Sequence, residues 1–524
     1  MSLGGASLLS TLEAPSALAD TTNPVQRSQR AFVIRRDAAI FQRDRAEEPS
    51  ISNGDEQRYP NKIGSFTKAL PHNSLGEVDL NAFSAMTAAL SSGLTNDFEA
   101  IPLGGTVKLA NPQSSYCFSL EGADAQAISI PPAPAFSSAQ MAAEIAESYW
   151  YALTRDVPFS QYPANSLINQ AIADLNKFSD YRAPKVNGLV TPAVIFRGNT
   201  PGDLNGPYIS QFLWKPVPIG GGLFPQLYRT SVAGDDYMTS FSSWLNVQMG
   251  VAAGSNVFDP TPRYVRNSRD LAQYLLVDFM GQANVLALFQ LLSYGNPAVS
   301  PNNPYLSFTK TSSGITFGSQ WATDLVSRAP DTALRSAFYQ KWLVHRRIRP
   351  EAFAGRVHNV VTGAAQYPVH SDILNSGVLS ALYTAHKTYL LPQAYPVGSP
   401  PHPSYPAAHT VVAAAGVTML KALFNESFVI PNPVVASDDG LTLMPYSGAP
   451  LTVGGELNKL ASNMSLGRLA AGVHYHSDSD AGLSLGEEIA LSILRDVATI
   501  YHENFSGFTL TRFDGRTVTI CPDC

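Results

Sequence analysis

The stretch HPSYPAAHTVVAAAGVTMLKALF, residues 402–424, decides the fold prediction because it places two histidines at the start of an apolar helix. His402 precedes the prolines of a tight turn, and His409 follows them seven positions later. The apolar run after His409 is typical of a helix, and the first backbone N–H groups of a helix are free to bind an anion. The small side chains of Ala407 and Ala408 would let an oxyanion approach that backbone closely.

The rest of the chain also favours helices over strands. Residues 138–156 predict a helix capped by Ser138, residues 268–295 a single long apolar helix, and residues 321–350 a helix with a break at Pro330. Strand-like alternation is scarce, and the C-terminal stretch FTLTRFDGRTVTI (508–520) predicts a small hairpin. We therefore predict a mainly α fold, built of helical bundles with long loops and a small β-hairpin.

Three regions follow one another along the chain. Residues 1–60 form an N-terminal tail and arm, residues 61–260 a helical region that packs on the core, and residues 261–524 a helical-bundle region that ends in the hairpin. Within the tail, residues 25–45 carry apolar residues at helical spacing and many arginines. That segment is either an arm helix that packs on a neighbouring subunit or a solvated surface helix.

Composition excludes several classes of protein. The net charge is −6 and the chain has no block of Lys and Arg, which argues against nucleic acid as a partner. No run of 18 or more apolar residues occurs, so we expect no membrane span. Three cysteines, Cys117, Cys521 and Cys524, do not make a disulfide framework, and CPDC at residues 521–524 is typical of a reactive or locally bridged tail.

The compartment is the least determined property. Residues 2–20, SLGGASLLSTLEAPSALAD, resemble the end of a secretory signal, but no basic segment follows Met1. The pattern favours export, periplasmic or secreted, over a cytoplasmic location, with a plain tail as the alternative.

Cations and histidines recur in three segments of the C-terminal half. In KWLVHRRIRPE, Lys341 and Arg349 lie eight positions apart, a little over two helical turns, so both heads can reach one side of a helix. Arg346 and Arg347 point elsewhere and favour ion pairs. Cations placed together repel one another unless an anion lies between them.

The third segment is SLGRLAAGVHYHSDSDAG, in which Arg468 and His474 lie six positions apart. A continuous helix would point them away from each other. Gly472 provides a helix stop, and Ser477 with Asp478 provides a new N-cap, so His474 can turn back toward Arg468. Taken together with the helix start at His409, the segments predict a pocket for a tetrahedral oxyanion.

The motifs K-x7-R-P, H-P-S-Y-P-x-x-H and G-R-x-x-x-G-V-H-Y-x-S-D together resemble the vanadium-dependent haloperoxidases, in particular the red-algal bromoperoxidase branch. Other stretches, such as SFTKALPH, IFRGNTPG and LTVGGELNKLASNMSLGR, look like the same enzymes in the same order. The resemblance runs from about residue 25 to 515. It implies that residues 261–524 bind vanadate.

The resemblance implies a role for each matching residue. Lys341, Arg349 and Arg468 match the cations that neutralise the vanadate oxygens, and His474 matches the axial ligand of vanadium. Ala408 lies where the family has a glycine whose backbone N–H donates to vanadate.

Around these ligands the resemblance implies further roles. His409 matches the acid/base histidine, and Asp278 matches an acid that orients it or the cations. His402 and Phe338 would shape the halide pocket, where a polar, partly protonated His402 favours bromide. Ala407 replaces a serine whose hydroxyl normally donates to vanadate, which weakens oxyanion binding by roughly 1–3 kcal/mol.

The implied activity is oxidation of halide, bromide preferred, by hydrogen peroxide to a hypohalous acid that halogenates small organic nucleophiles. The cofactor would be vanadate. The red-algal enzymes also have an acidic calcium loop, but the matching stretch of this chain, FTKTSSGITF, has no carboxylates, so the resemblance does not extend to calcium. The assembly would be a homo-oligomer, a dodecamer if it follows the red-algal enzymes. Two alternatives stay open: an acid phosphatase of the same superfamily with His474 as nucleophile, and a non-catalytic oxyanion-binding or assembly protein.

Overall fold

The computed structural model describes residues 23–46 and 48–521, and helices predominate in them. The first eight helices are α1 (Pro24–Asp44), α2 (Asp55–Arg58), α3 (Leu80–Ser92), α4 (Thr95–Glu99), α5 (Ala139–Thr154), α6 (Ser166–Leu175), α7 (Phe241–Gln248) and α8 (Ser268–Val277). The others are α9 (Gln282–Ser293), α10 (Ser319–Tyr339), α11 (Pro350–Thr362), α12 (Ser371–Leu374), α13 (Gly377–His386), α14 (Ala408–Leu423), α15 (Val453–Ala470) and α16 (His476–Ala498).

Strands occur as three two-stranded antiparallel hairpins among the described residues. They pair β1 (Val217–Ile219) with β2 (Gly222–Phe224), β3 (Val434–Ala436) with β4 (Leu443–Pro445), and β5 (Phe508–Thr511) with β6 (Thr517–Ile520). The last of these is the predicted C-terminal hairpin. The prediction of a mainly α fold is confirmed.

The N-terminal arm is one helix, α1, and it belongs to a compact unit that ends at Arg45. Asn23 caps it, since its side chain accepts from the backbone N–H groups of Val25 and Gln26 at 2.9 and 3.2 Å. None of its side chains is buried within the chain. Residues 2–20, on which the export prediction depends, lie outside the described residues.

The remaining residues form a second unit, with α14 at the centre of its larger apolar core. The predicted helix start is confirmed, since α14 begins at Ala408 with Ala407 as its N-cap. α14 packs against α10, α15 and α16. Small residues allow this, because a Cβ at Gly486 of α16 would lie 2.3 Å from the carbonyl oxygen of Val411.

A second apolar core packs α5, α6, α11 and α13 together. It also contains Val473 and Tyr475, the two neighbours of His474. His474 therefore lies in a loop that this second core holds in place through both neighbours. The division of the chain near residue 260 stays a prediction.

Two predicted helices differ from the structure. Residues 268–295 do not form one helix, because Asp278 ends α8 and Gly281, at φ +98°, starts α9 in a new direction. Pro330 does not break α10: it lies inside the helix and is buried, so core packing outweighs the lost backbone hydrogen bond. The helix predicted at 138–156 is confirmed as α5, with Ser138 as its cap.

Among the residues described, no single helix is long and apolar enough to cross a membrane. The α8 and α9 pair passes the test of length and composition together, with a bend of 99° between the two helices.

Candidate active site

Lys341 and Arg349 do not share the continuous helix that the sequence predicted. Lys341 lies in a π-helical turn, Gln340–His345, that follows α10, and Arg346 then adopts φ +38°. Arg349 is the N-cap of α11. The two side chains nevertheless converge on the 402–406 loop: Lys341 Nζ donates to the carbonyl oxygens of Pro403 and Ser404, both at 2.8 Å.

Arg349 lies between the two histidines of greatest interest. Its Nη2 donates to Nδ1 of His402 at 2.9 Å, and its Nη1 donates to Nε2 of His474 at 3.0 Å. Nε and Nη1 also donate to the carbonyl oxygens of His402 and Val473. Because a guanidinium has only donors, both ring nitrogens must accept here.

Arg468 is the third cation and lies in the last turn of α15. Its Nη1 donates to the carbonyl oxygen of Leu275 at 3.0 Å, and its guanidinium lies over the ring of Tyr395, 5.6 Å from the centroid. Its Nε is buried and has no hydrogen-bond partner among the described residues. A buried donor without a partner is costly, so Arg468 is poised for an acceptor.

The three cations of this pocket are compensated only at a distance, chiefly by the buried carboxylate of Asp478. Lys341, Arg349 and Arg468 are 0%, 1% and 3% exposed, and none forms an ion pair with a carboxylate of the described residues. Burial, together with repulsion from Arg349, lowers the pKa of Lys341 far below its usual value. Burial also lowers the pKa of Arg349 to about 9. An anion bound among these cations would reduce their mutual repulsion and stabilise the cluster.

The N-terminus of α14 also favours a bound anion. Ala407, its N-cap, has no side-chain oxygen, so no side chain caps the first N–H groups of this 16-residue helix. Three buried cations, an uncapped helix start and an accepting ring nitrogen suit a tetrahedral oxyanion such as vanadate.

His474 is held by a carboxylate that the sequence analysis assigned only to a helix cap. Its Nδ1 lies 2.8 Å from Oδ2 of Asp478, which also accepts from Ser404 Oγ and from the backbone N–H of Tyr475. An ionised carboxylate only accepts, so Nδ1–H donates and Nε2 carries the lone pair, which accepts from Arg349 in this structure and would be the metal ligand. The residue type and the four-residue spacing of His474 and Asp478 were the available signal.

The cap prediction for α16 was wrong in detail. The predicted helix stop is confirmed, since Gly472 adopts φ +82° and α15 ends before it. The N-cap of α16 is Tyr475, however, and Asp478 occupies the N3 position, where its carboxylate returns to the N-cap backbone. Asp478 thereby caps the helix and holds His474 at the same time.

His409 and Asp278 lie next to each other, with 3.4 Å between Nε2 and Oδ1. Burial lowers the pKa of His409, and Arg468 adds to that shift, so the imidazole is neutral near pH 7. Its side chain is 16% exposed, more than that of the other polar residues of the site. A neutral, reachable imidazole next to a carboxylate can accept a proton and hold it.

His402 is buried and packs against Phe338 of α10, with 5.2 Å between ring centroids. Burial, Lys341 and Arg349 lower its pKa far below the usual value. The expectation of a partly protonated His402 was therefore wrong: the ring is neutral, and its Nδ1 accepts from Arg349. The structure brings all the predicted site residues into this one region.

Comparison with known proteins agrees with this geometry. A family model for the second helical-bundle domain of VCPO matches residues 369–503. A vanadium-dependent bromoperoxidase of Ascophyllum nodosum is 34% identical, over 96% of this chain and 94% of its own. One from Corallina pilulifera is 33% identical, over 95% and 99%.

A solved structure gives the same result for the fold. The homohexameric second vanadate-dependent bromoperoxidase of Ascophyllum nodosum superimposes with a TM-score of 0.92 and 28% identity, over 99% of this chain and 95% of that one. The chain belongs to the vanadium-dependent bromoperoxidase family.

Proposed function

We propose that this protein binds vanadate and uses hydrogen peroxide to oxidise bromide to hypobromous acid, which brominates organic nucleophiles. The observation that carries the proposal is the set of three buried cations, Lys341, Arg349 and Arg468, that have no ion pair with a described carboxylate. Arg349 contacts the accepting Nε2 of His474, and Lys341 and Arg468 are close enough to Arg349 for electrostatic repulsion to act among the three cations. Identity of 34% and 33% to two vanadium-dependent bromoperoxidases, over 96% and 95% of this chain, supports the same function.

Each side chain has a task in this proposal. Lys341, Arg349 and Arg468 balance the charge of the oxyanion, and the backbone at Ala408 donates to it. His474 offers Nε2 as the ligand, held in place through Nδ1 by Asp478. When bound, vanadate supplies a Lewis acid that activates hydrogen peroxide for attack by bromide.

Proton transfer is the task of His409. Its pKa is lowered by burial, so it is neutral and can take a proton from incoming hydrogen peroxide. Asp278, 3.4 Å from Nε2, would stabilise the imidazolium and return the ring to its neutral form when the proton leaves.

His402 and Phe338 form the proposed halide pocket, but the halide preference that we propose does not depend on them. A neutral imidazole against an aromatic ring gives a drier pocket than the one the sequence predicted. We still propose bromide over chloride, because bromide is easier to oxidise and Ala407 supplies no hydroxyl donor to the oxyanion. Rates with each halide at equal peroxide measure this.

The decisive experiment is a peroxide-dependent bromination assay on metal-free protein, before and after addition of orthovanadate. Activity should appear only with vanadate. The His474→Ala variant should lose both vanadate binding and turnover, whereas the His409→Ala variant should lose turnover and retain most of its vanadate binding.

The same assay separates the alternatives. Hydrolysis of a phosphate monoester by the metal-free protein, inhibited by vanadate, would favour an acid phosphatase with His474 as nucleophile. Vanadate binding without either activity would favour a non-catalytic oxyanion-binding protein. Either outcome contradicts the proposal when no bromination appears after orthovanadate is added.

The solved relative is a homohexamer, and this chain is also expected to form a homo-oligomer. The hexamer does not support the predicted dodecamer, so we propose six subunits, with α1 as an arm on a neighbouring copy. Sedimentation velocity measures the number. Export stays a prediction from residues 2–20.

A further inference from the structure

We propose that an exposed apolar turn, the exit lip formed by Val277, Phe279 and Met280, binds the organic acceptor of the bromination. The acceptor would be a neutral, electron-rich aromatic or alkene. The inference rests on the proposed function, since that function supplies the oxidised bromine.

The lip adjoins His409, the most exposed polar side chain of the site. Lys341 and His474 are 0% and 1% exposed, but the His409 side chain is 16% exposed. Asp278, whose carboxylate contacts His409 at 3.4 Å, lies within the lip sequence. Consecutive Cα atoms are about 3.8 Å apart, so Val277 and Phe279 lie next to the residue that contacts the acid/base histidine.

The acidic side chain of this turn points into the protein, and the apolar side chains point into solvent. Asp278 ends α8 and points inward, with its side chain 5% exposed. Val277, Phe279 and Met280 point outward and are 60%, 61% and 42% exposed. A single exposed apolar residue needs no explanation, but three within four positions beside an active site indicate a binding surface.

The chain segment that forms the lip carries little charge. From residue 276 to residue 293 the sequence LVDFMGQANVLALFQLLS contains one charged residue, Asp278, and it is turned toward His409. A charged acceptor would therefore find no counter-charge on the lip itself. Apolar area is what the lip offers, and an uncharged ring or double bond can bury against it.

The reaction at the lip is balanced. Hypobromous acid transfers Br⁺ to an acceptor carbon: the O–Br bond breaks, the C–Br bond forms, and the carbon loses H⁺, which joins hydroxide as water. Without an acceptor, hypobromous acid oxidises a second hydrogen peroxide to dioxygen and returns bromide, water and a proton. An acceptor held at the lip meets hypobromous acid before it diffuses away.

Competition between two acceptors tests this. Methoxybenzene and 4-methoxybenzoate would be offered together to the holoenzyme, and separately to reagent hypobromous acid. We expect the wild-type enzyme to favour methoxybenzene about fivefold more than the reagent does, which is the preference that burial of a small apolar area supports. A Phe279→Ser/Met280→Ser variant should return to the reagent ratio. The control is Leu223→Ser, an exposed apolar residue of the β1–β2 hairpin, which should keep the wild-type ratio.

Two further measurements separate the possible failures. Dioxygen release from bromide and peroxide without acceptor should be equal in all three proteins, and its absence from the wild type would refute the proposed function. Saturation-transfer NMR of methoxybenzene tests the lip even then: equal binding by wild type and double variant overturns the inference. A wild-type ratio equal to that of the reagent also overturns it, as does loss of the oligomer in the double variant, which would assign the lip to a second copy.

Discussion

Arg347 and Arg349 are two positions apart and both are buried, yet their surroundings are opposite. Arg347 donates to Asp478 at 2.7 Å and to Glu144 at 2.9 Å, and lies 4.0 Å from the ring centroid of Tyr475. Burial works to lower its pKa, but the two carboxylates raise it above its usual value. Arg349 has carbonyls and histidines as partners, and burial lowers its pKa to about 9. Arg347 therefore stabilises the fold, whereas Arg349 is placed to bind an anion.

Other buried cations follow the first pattern. Lys68 pairs with Glu351 at 2.7 Å, and Lys459 pairs with Glu456 at 2.6 Å. Arg197, in contrast, is buried and donates only to carbonyl oxygens in the contacts described. A missing carboxylate alone therefore does not identify a site; convergence of three such cations does.

The largest effect is expected for Arg347→Met. The change leaves Asp478 and Glu144 buried without their cation, so the free energy of unfolding should fall by about 3–5 kcal/mol. Urea unfolding of the metal-free protein measures it. A loss below about 1 kcal/mol would show that the ion pairs do not hold the fold.

Arg349→Met is the matched change in the other environment. Removing this cation relieves repulsion with Lys341 and Arg468, which offsets the loss of its hydrogen bonds to His402, Val473 and His474, so the metal-free protein should lose far less stability than Arg347→Met does. Vanadate affinity should fall about 10–100-fold, because a charge-assisted contact is lost. Equilibrium dialysis with orthovanadate measures the affinity. Destabilisation as large as that of Arg347→Met would remove the distinction between the two arginines.

His345 and His476 show the same contrast between a buried group without a carboxylate partner and one with carboxylate partners, and the expected effects are smaller. His345 is buried, and neither ring nitrogen has a hydrogen-bond partner among the described residues. Burial, with Arg347 and Arg346, lowers its pKa to about 3. His476 lies 3.3 Å from Glu147 and 3.9 Å from Asp480. These carboxylates outweigh burial and raise its pKa to about 10.

The unpaired histidine should make the protein sensitive to acid. Between pH 6.5 and 3 the unfolded chain protonates His345 and the folded chain does not, so stability falls as pH falls, by about 2 kcal/mol from pH 6.5 to 5. The His345→Phe variant should lack that part of the decline in urea unfolding at the two pH values.

The paired histidine provides the control of opposite sign. The contribution of His476 is fully present below pH 6.5 and is lost as pH rises toward 10. His476→Gln should therefore flatten the alkaline side of the stability curve and leave the acid side unchanged. An equal acid decline in wild type and His345→Phe would show that His345 is not buried as a neutral ring.

The sequence predicted the site better than the path of the chain through it. Residue type and order were enough to group Lys341, Arg349, Arg468 and His474, because few pockets need that set of cations. Local geometry was not predictable: the π-helical turn at Lys341 and the direction change at Gly281 depend on packing between distant helices. Propensity is a weak guide where tertiary contacts decide, as Pro330 inside α10 also shows.

The role of Asp478 shows a second limit. Its position after Ser477 suggested a cap, and it does return to the Tyr475 backbone at 3.1 Å. Its partners Arg347 and Ser404 lie 131 and 74 positions away along the chain. One sequence without its fold cannot indicate which distant groups share a carboxylate.

The smallest expected effect concerns Ala407, and it tests whether the pocket cations already supply most of the binding energy. Ala407 is fully buried at the N-cap of α14, where no side chain accepts from the first N–H groups. In Ala407→Ser a hydroxyl would donate to the oxyanion, and vanadate affinity should rise about 5-fold, close to 1 kcal/mol, because one neutral donor adds little beside three cations. Equilibrium dialysis of the metal-free protein gives the affinity, and Ala407→Cys, similar in size with a weak donor, should show no gain. The new hydroxyl could instead accept from the helix N–H groups, which would raise the unfolding free energy by about 1 kcal/mol without vanadate. A stability gain with unchanged vanadate affinity would therefore place the Ser side chain on the helix and not on the anion.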